Sequence, residues 1–164
     1  MGNKIDAIIS GVIEREGVET NDPSDKGRRT KFGISEKSNP EAWKDGDVSE
    51  EEAREIYTRK YVVWPKFNLI PLSHSALQAQ LIDFGVNSGP FIAIQKLQTI
   101  LGVEADGIIG PNTLKAIEEE NPFILNNKLV KERVLMNCRI VKKDPSQLKY
   151  LVGWVNRAFE FFMD

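Results

Sequence analysis

Residues 5–35 read IDAIISGVIEREGVETNDPSDKGRRTKFGIS, and the change of pattern near Glu16 decides the fold class. Ile5, Ile8, Ile9, Val12 and Ile13 recur at i, i+3, i+4, i+7 and i+8, which is one face of a helix. Asn3 is placed to cap the start of that helix, and Gly17 to end it. Glu16 continues the apolar stripe at the helix end. From Thr20 to Ser35 the composition turns to Asn, Asp, Pro, Ser and Gly, the residues of turns and loops. Lys31-Phe32-Gly33-Ile34 is a short strand candidate, so a small hairpin or irregular β lobe is expected here.

Beyond this lobe the pattern is helical. Glu41 to Trp43 fits a short turn of helix after Pro40. Ser49-Glu50-Glu51-Glu52 is a capping box, with Val48 and Ala53 placed as a hydrophobic staple. The helix it opens runs to about Val62 with Ala53, Ile56 and Tyr57 inward, and Trp64-Pro65 stops it. A further helix starts near Ser73 or Ser75 and carries Leu77, Leu81 and Phe84 on one stripe. Asn87-Ser88-Gly89-Pro90 breaks it, and Pro90 suits the first turn of the next, lined by Ile94, Leu97 and Leu101. Gly110-Pro111 opens a short helix, and Asn121-Pro122 a long one with Val130, Val134, Cys138 and Val141 at helical spacing. Leu148, Leu151, Val152, Val155, Phe159 and Phe162 share a face of the last. The fold class is α+β, mostly α-helical, with the loop from Gly102 to Gly110 as the best candidate for a seam.

Composition narrows the chemistry. The 164 residues, 41% apolar and 28% charged, fit one globular domain or one with a small appendage. Apolar runs such as Tyr61–Trp64 are far too short to span a membrane, so no stable insertion is expected. The start, Met1 to Asp6, lacks the apolar stretch of a signal peptide. The single cysteine, Cys138, excludes an internal disulfide and a cysteine zinc site, and its helical spacing places it in the core. The single histidine, His74, leaves little room for Ser-His or Cys-His chemistry. Carboxylates remain. Net charge is −2, so no nucleic-acid partner is expected. Yet Asn121 to Arg157 holds eight Lys and Arg against Glu132 and Asp144. That segment is either the solvated side of two helices or a patch that meets an anionic polymer.

Glu16 is the first carboxylate to weigh. A carboxyl held against apolar groups has its charged form disfavoured, so its pKa rises. Protonation of a glycosidic oxygen near neutral pH needs such a group. The same spacing also fits a solvated Glu at a frayed helix end. Asp25 and Thr30 follow in the turn-rich segment. A loop returning over the helix end can bring them to face Glu16, and a trio of that kind can run glycoside hydrolysis. Asp25 equally fits an Asx turn before Gly27. Asn87, at a helix end, either caps backbone groups or reaches a sugar acetamido group. Trp64, Trp43 and Tyr57 are either core or sugar-stacking aromatics. Asn21, Asp22 and Asp25 lack the spacing of a calcium loop, and no phosphate-binding glycine motif occurs, so neither a metal nor another cofactor is expected.

The stretch from Glu16-Gly17 through Asn21-Asp22-Pro23, Asp25-Lys26-Gly27, Thr30 and Phe32-Gly33-Ile34 resembles the signature of glycoside hydrolase family 108. These are lysozyme-like N-acetylmuramidases, often bacteriophage endolysins. The order Glu, Asp, Thr is also similar to that of phage-type lysozymes. Departures from the family pattern fall on Val18, Glu19 and Arg28, and leave Glu16, Asp25 and Thr30 in place. Asp83 to Pro90, Asp106 to Thr113 and Gly153 to Arg157 resemble the family's second, predicted peptidoglycan-binding part.

The resemblance implies a lysozyme-like fold with a small N-terminal β-hairpin lobe and a helical bundle lobe. It implies a catalytic domain over 1–88 and a helical peptidoglycan-binding part over 89–164, packed into one unit. It implies hydrolysis of the β-1,4 bond between N-acetylmuramic acid and N-acetylglucosamine, without a cofactor. Glu16 is then the general acid, Asp25 and Thr30 its supporting pair, and Asn21, Asp22, Asn87 and Trp64 the substrate contacts. The expected partner is the glycan strand, met by a monomer. The expected place is the cytoplasm until a holin-type pore or secretion machine releases it to the wall. The rival readings are a non-catalytic peptidoglycan-binding module and a secretion-associated effector of the same fold.

Overall fold

The apolar spacing over residues 5–13 becomes helix α1, Gly2–Glu16, in a computed structural model. It describes residues 2–16 and 29–164, with side chains over 5–14 and 29–164. Ile9, Val12 and Ile13 are buried, and α1 packs on α2, Glu50–Thr58. The helix already includes Asn3, so that residue lies inside it and is not its cap. Gly17 lies outside the described residues.

Strands β1, Thr30–Lys31, and β2, Ile34–Ser35, pair antiparallel with Thr30 opposite Ser35 and Lys31 opposite Ile34. The expected hairpin is therefore present, but Lys31 to Ile34 is not one strand. Phe32 and Gly33 form its two-residue turn, with φ of 51° and 72°. Positive φ at both central positions matches the turn twist that a tight hairpin favours. Gly33 adopts it freely, and Phe32 is held in it by its surroundings. Trp43, in the 3-10 turn Pro40–Trp43, donates from Nε1 to the Ile34 carbonyl at 3.2 Å.

Helix α2 begins as its sequence dictates. The Ser49 hydroxyl accepts from the Glu52 amide, and the Glu52 carboxylate accepts from the Ser49 amide at 2.8 Å. Val48 and Ala53 are fully buried beside this box. A π turn, Arg59–Val63, follows and carries the chain to Trp64.

Chain contacts divide the molecule into two compact units, Met1–Trp64 and Pro65–Asp164. The second unit contains α3, Ser75–Ser88, α4, Pro90–Leu101, α5, Pro111–Glu119, α6, Pro122–Lys143, and α7, Leu148–Phe159. Helix α3 is its centre: Leu77, Leu81, Ile82 and Phe84 are buried, and it packs on both α4 and α6. The 102–110 loop lies inside this unit, not at the division. It is held by Gln98, which donates to Asp106 Oδ1 at 2.7 Å and accepts from the Gly107 amide at 2.8 Å. Gly107 has φ of 74°, and a Cβ there would strike the Phe91 ring.

One expectation for the last helices needs correction. The buried residues of α6 are Leu125, Asn126, Leu129, Val130 and Arg133. They stop before Cys138, which is exposed and not core. The apolar stripe of α7 forms, but it largely faces outward: Leu148, Val152 and Phe159 are exposed and only Ala158 is buried. The chain end is tied back by Asn127, which donates to the Met163 carbonyl at 2.8 Å and accepts from its amide at 3.0 Å.

Candidate active site

Glu16 is the last described residue of helix α1, which is anchored by Ile9, Val12 and Ile13. Asn21, Asp22 and Asp25 lie outside the described residues. The chain returns at Arg29 and Thr30, and that return is firmly fixed. Arg29 donates from Nη1 to the Gly46 carbonyl at 2.6 Å, and its guanidinium lies 4.6 Å from the Trp43 ring centre. Lys31 pairs with Asp47 at 2.7 Å. Tyr57 donates its hydroxyl to the Phe32 carbonyl at 3.0 Å. Thr30 is thus held by strand pairing on one side and by its neighbours' anchors on the other. It is half-buried, and among the described residues its hydroxyl has no hydrogen-bond partner.

A general acid must keep its proton near neutral pH. Several described carboxyls are pushed the other way. The Lys31 ammonium and the Val48 amide hold Asp47 below its ordinary value. The Ser49 hydroxyl and amide do the same for Glu52. Gln98 and the Ile108 amide lower Asp106. Burial works against the charge on Glu132, but Arg139 and Lys96 outweigh it and the net direction is down. These groups serve as caps and ion-pair partners, and none is suited to donate a proton.

The aromatic candidates separate. Trp43 and Tyr57 are buried and spend their polar ends on the hairpin, so both are core. Trp64 is 71% exposed at the end of the π turn. Asn87 belongs to the second unit and is exposed there, donating from Nδ2 to the Asp83 carbonyl at 2.9 Å. His74 is buried against Ser73 and the Glu120 carbonyl, a structural role. Among the described residues no cluster of His, Cys, Asp or Glu is placed to hold a metal ion. No helix among them is long and apolar enough to cross a membrane.

One charged cluster escapes a reading by periodicity. Asp83 is 1% exposed and pairs with Arg133 at 2.7 Å and Arg157 at 2.9 Å. The available signal was an acid inside the apolar run Leu81-Ile82-Asp83-Phe84 and an arginine on the stripe of Leu129 and Val130.

Residues 9–89 match the family model described as glycosyl hydrolase 108. That stretch, just under half of the chain, is similar to the family. Residues 92–159 match a predicted peptidoglycan domain, so the two parts follow in the order that the sequence resemblance implied. A solved structure, SagA of Brucella abortus, is similar at 25% identity with a TM-score of 0.67, over 100% of this chain and 98% of that one. No curated protein matches the chain. The helices and the two-stranded sheet among the described residues are a lysozyme-like α+β fold. The two domains together support a peptidoglycan hydrolase of the glycoside hydrolase class.

Proposed function

We propose that the chain is an N-acetylmuramidase that cleaves the β-1,4 bond between N-acetylmuramic acid and N-acetylglucosamine. Glu16 gives its proton to the glycosidic oxygen as the bond to the anomeric carbon breaks. Asp25 supports the developing positive charge or takes a proton from the attacking water, and the Thr30 hydroxyl orients that water. Asn21 and Asp22 shape the loop between them, Trp64 offers a ring face to a sugar, and Asn87 offers its amide to the polymer.

The observation that carries this reading is the match of residues 9–89, Glu16, Asp25 and Thr30 among them, to the glycosyl hydrolase 108 model. A hairpin fixed at Thr30 by Arg29, Lys31, Trp43 and Tyr57 supports it. A hairpin fixed in this way lets Thr30 hold a water without reorganisation. The test is digestion of purified sacculi followed by mass spectrometry of the products. Fragments ending in reducing muramic acid are expected, and Glu16→Gln should lower their release by about 10²-fold or more. Reducing glucosamine ends, or undiminished release by the variant, would overturn the assignment.

A further inference from the structure

The stretches 83–90 and 153–157 meet around Asp83, Arg133 and Arg157, three residues that the proposed glycan cleavage does not use. Arg133 of α6 donates from Nη2 to Asp83 Oδ2 at 2.7 Å. Arg157 of α7 donates from Nε and Nη2 to Asp83 Oδ1 at 3.0 and 2.9 Å. Three helices thus converge on one buried carboxylate. Arg133 is 4% exposed, and its guanidinium lies 4.9 Å from the Phe84 ring centre and 5.4 Å from that of Phe161. Its Nη1 is buried and has no hydrogen-bond partner. A guanidinium N–H left unpaired among aromatic rings costs free energy, so this cluster has a donor to fill.

Beside it opens a cavity of about 170 Å³ within the second unit. Arg133, Arg157, Asn87, Ser88 and Asn137 supply its polar lining, and Met136, Ile140 and Trp154 most of its apolar wall. The Asn87 amide nitrogen is committed to Asp83, which leaves the carbonyl end of that amide as an acceptor. Two guanidiniums face one buried carboxylate. Glu160 also acts on Arg133, from an exposed position where water screens it.

We propose that this cavity recognises an N-acylated amino-acid carboxylate, the group that a peptide stem of peptidoglycan presents. The guanidinium N–H groups not spent on Asp83 fit a carboxylate, the Asn87 carbonyl accepts an adjoining amide N–H, and the Met136, Ile140 and Trp154 wall takes a short aliphatic side chain. The proposal rests on the reading that the chain acts on peptidoglycan, and it assigns the peptide rather than the glycan to this site.

The test is titration of the full chain with N-acetyl-D-alanine, followed by calorimetry and by the Trp154 indole resonance. Saturable binding is expected. The methylamide of the same compound, which lacks the carboxylate, should bind at least about tenfold more weakly, as should the acid to Arg157→Gln. Ile140→Trp fills the cavity without touching the arginines and should abolish binding while the melting profile is kept. Equal binding of acid and methylamide would overturn the proposal, as would wild-type affinity in folded Ile140→Trp. The two readings fail separately. Cleaved sacculi with no binding of the acid sink this site alone. Binding with uncleaved sacculi sinks the glycosidase assignment and leaves the site standing.

Discussion

Asp83 interrupts an apolar run and is still buried, because arginines 50 and 74 positions away reach it. No local pattern announces such a partnership. Periodicity sorts apolar from polar, so Arg133 and Arg157 read as part of a solvated basic face although both are spent on Asp83. Cys138 failed in the opposite way: its spacing is helical, but the buried face of α6 ends a turn earlier. By contrast, helix α1 was legible because its buried face, Ile9, Val12 and Ile13, follows from a local stripe. Replacing Asp83 with Asn should be severe. It leaves two guanidiniums facing each other without the charge that holds them, a change that costs about 3–5 kcal/mol for buried pairs. Urea unfolding of Asp83→Asn should show that loss. A loss below about 1 kcal/mol would mean that water reaches both arginines.

Elements were legible wherever side chains close on their own backbone. The Ser49–Glu52 box, the Pro90 and Pro111 helix starts and the Asn121 cap depend on neighbours within a few positions. The hairpin turn was harder, because Phe32 adopts a positive φ that its type seldom takes. Tertiary anchors decide it: Tyr57 holds the Phe32 carbonyl, and Lys31 holds Asp47. That second anchor has a pH signature. Asp47 has a folded pKa below its ordinary 3.8, chiefly through Lys31. Its contribution is therefore complete above 3.8 and is lost as pH falls through the lowered value. Glu52 adds in the same direction from 4.5. Thermal melts should be flat in pH above about 5 and fall below it. Asp47→Asn should melt below wild type at pH 6 and converge with it in strong acid. A gap that persists in acid would show that Asp47 acts through hydrogen bonding alone.

At the scale of the whole molecule, the net charge of −2 hides an uneven distribution. With Arg133 and Arg157 paired inside, the exposed cations of α6 and α7 are Lys128, Lys131, Arg139, Lys142, Lys143 and Lys149. Glu120 pairs with Lys128 and Glu132 with Arg139, so Lys131, Lys142, Lys143 and Lys149 dominate the outer field. A wall polymer rich in carboxylates should feel that field over about 10 Å at 0.1 M salt, and over only about 3 Å at 1 M. The triple substitution Lys142→Glu, Lys143→Glu, Lys149→Glu should weaken co-sedimentation with sacculi several-fold at low salt. The difference from wild type should close as salt rises, because screening removes what the substitution reverses. The positions are exposed, so folding should be kept and the melting profile checks it. A deficit that persists unchanged at 1 M salt would show that these lysines touch the polymer directly instead of drawing it in.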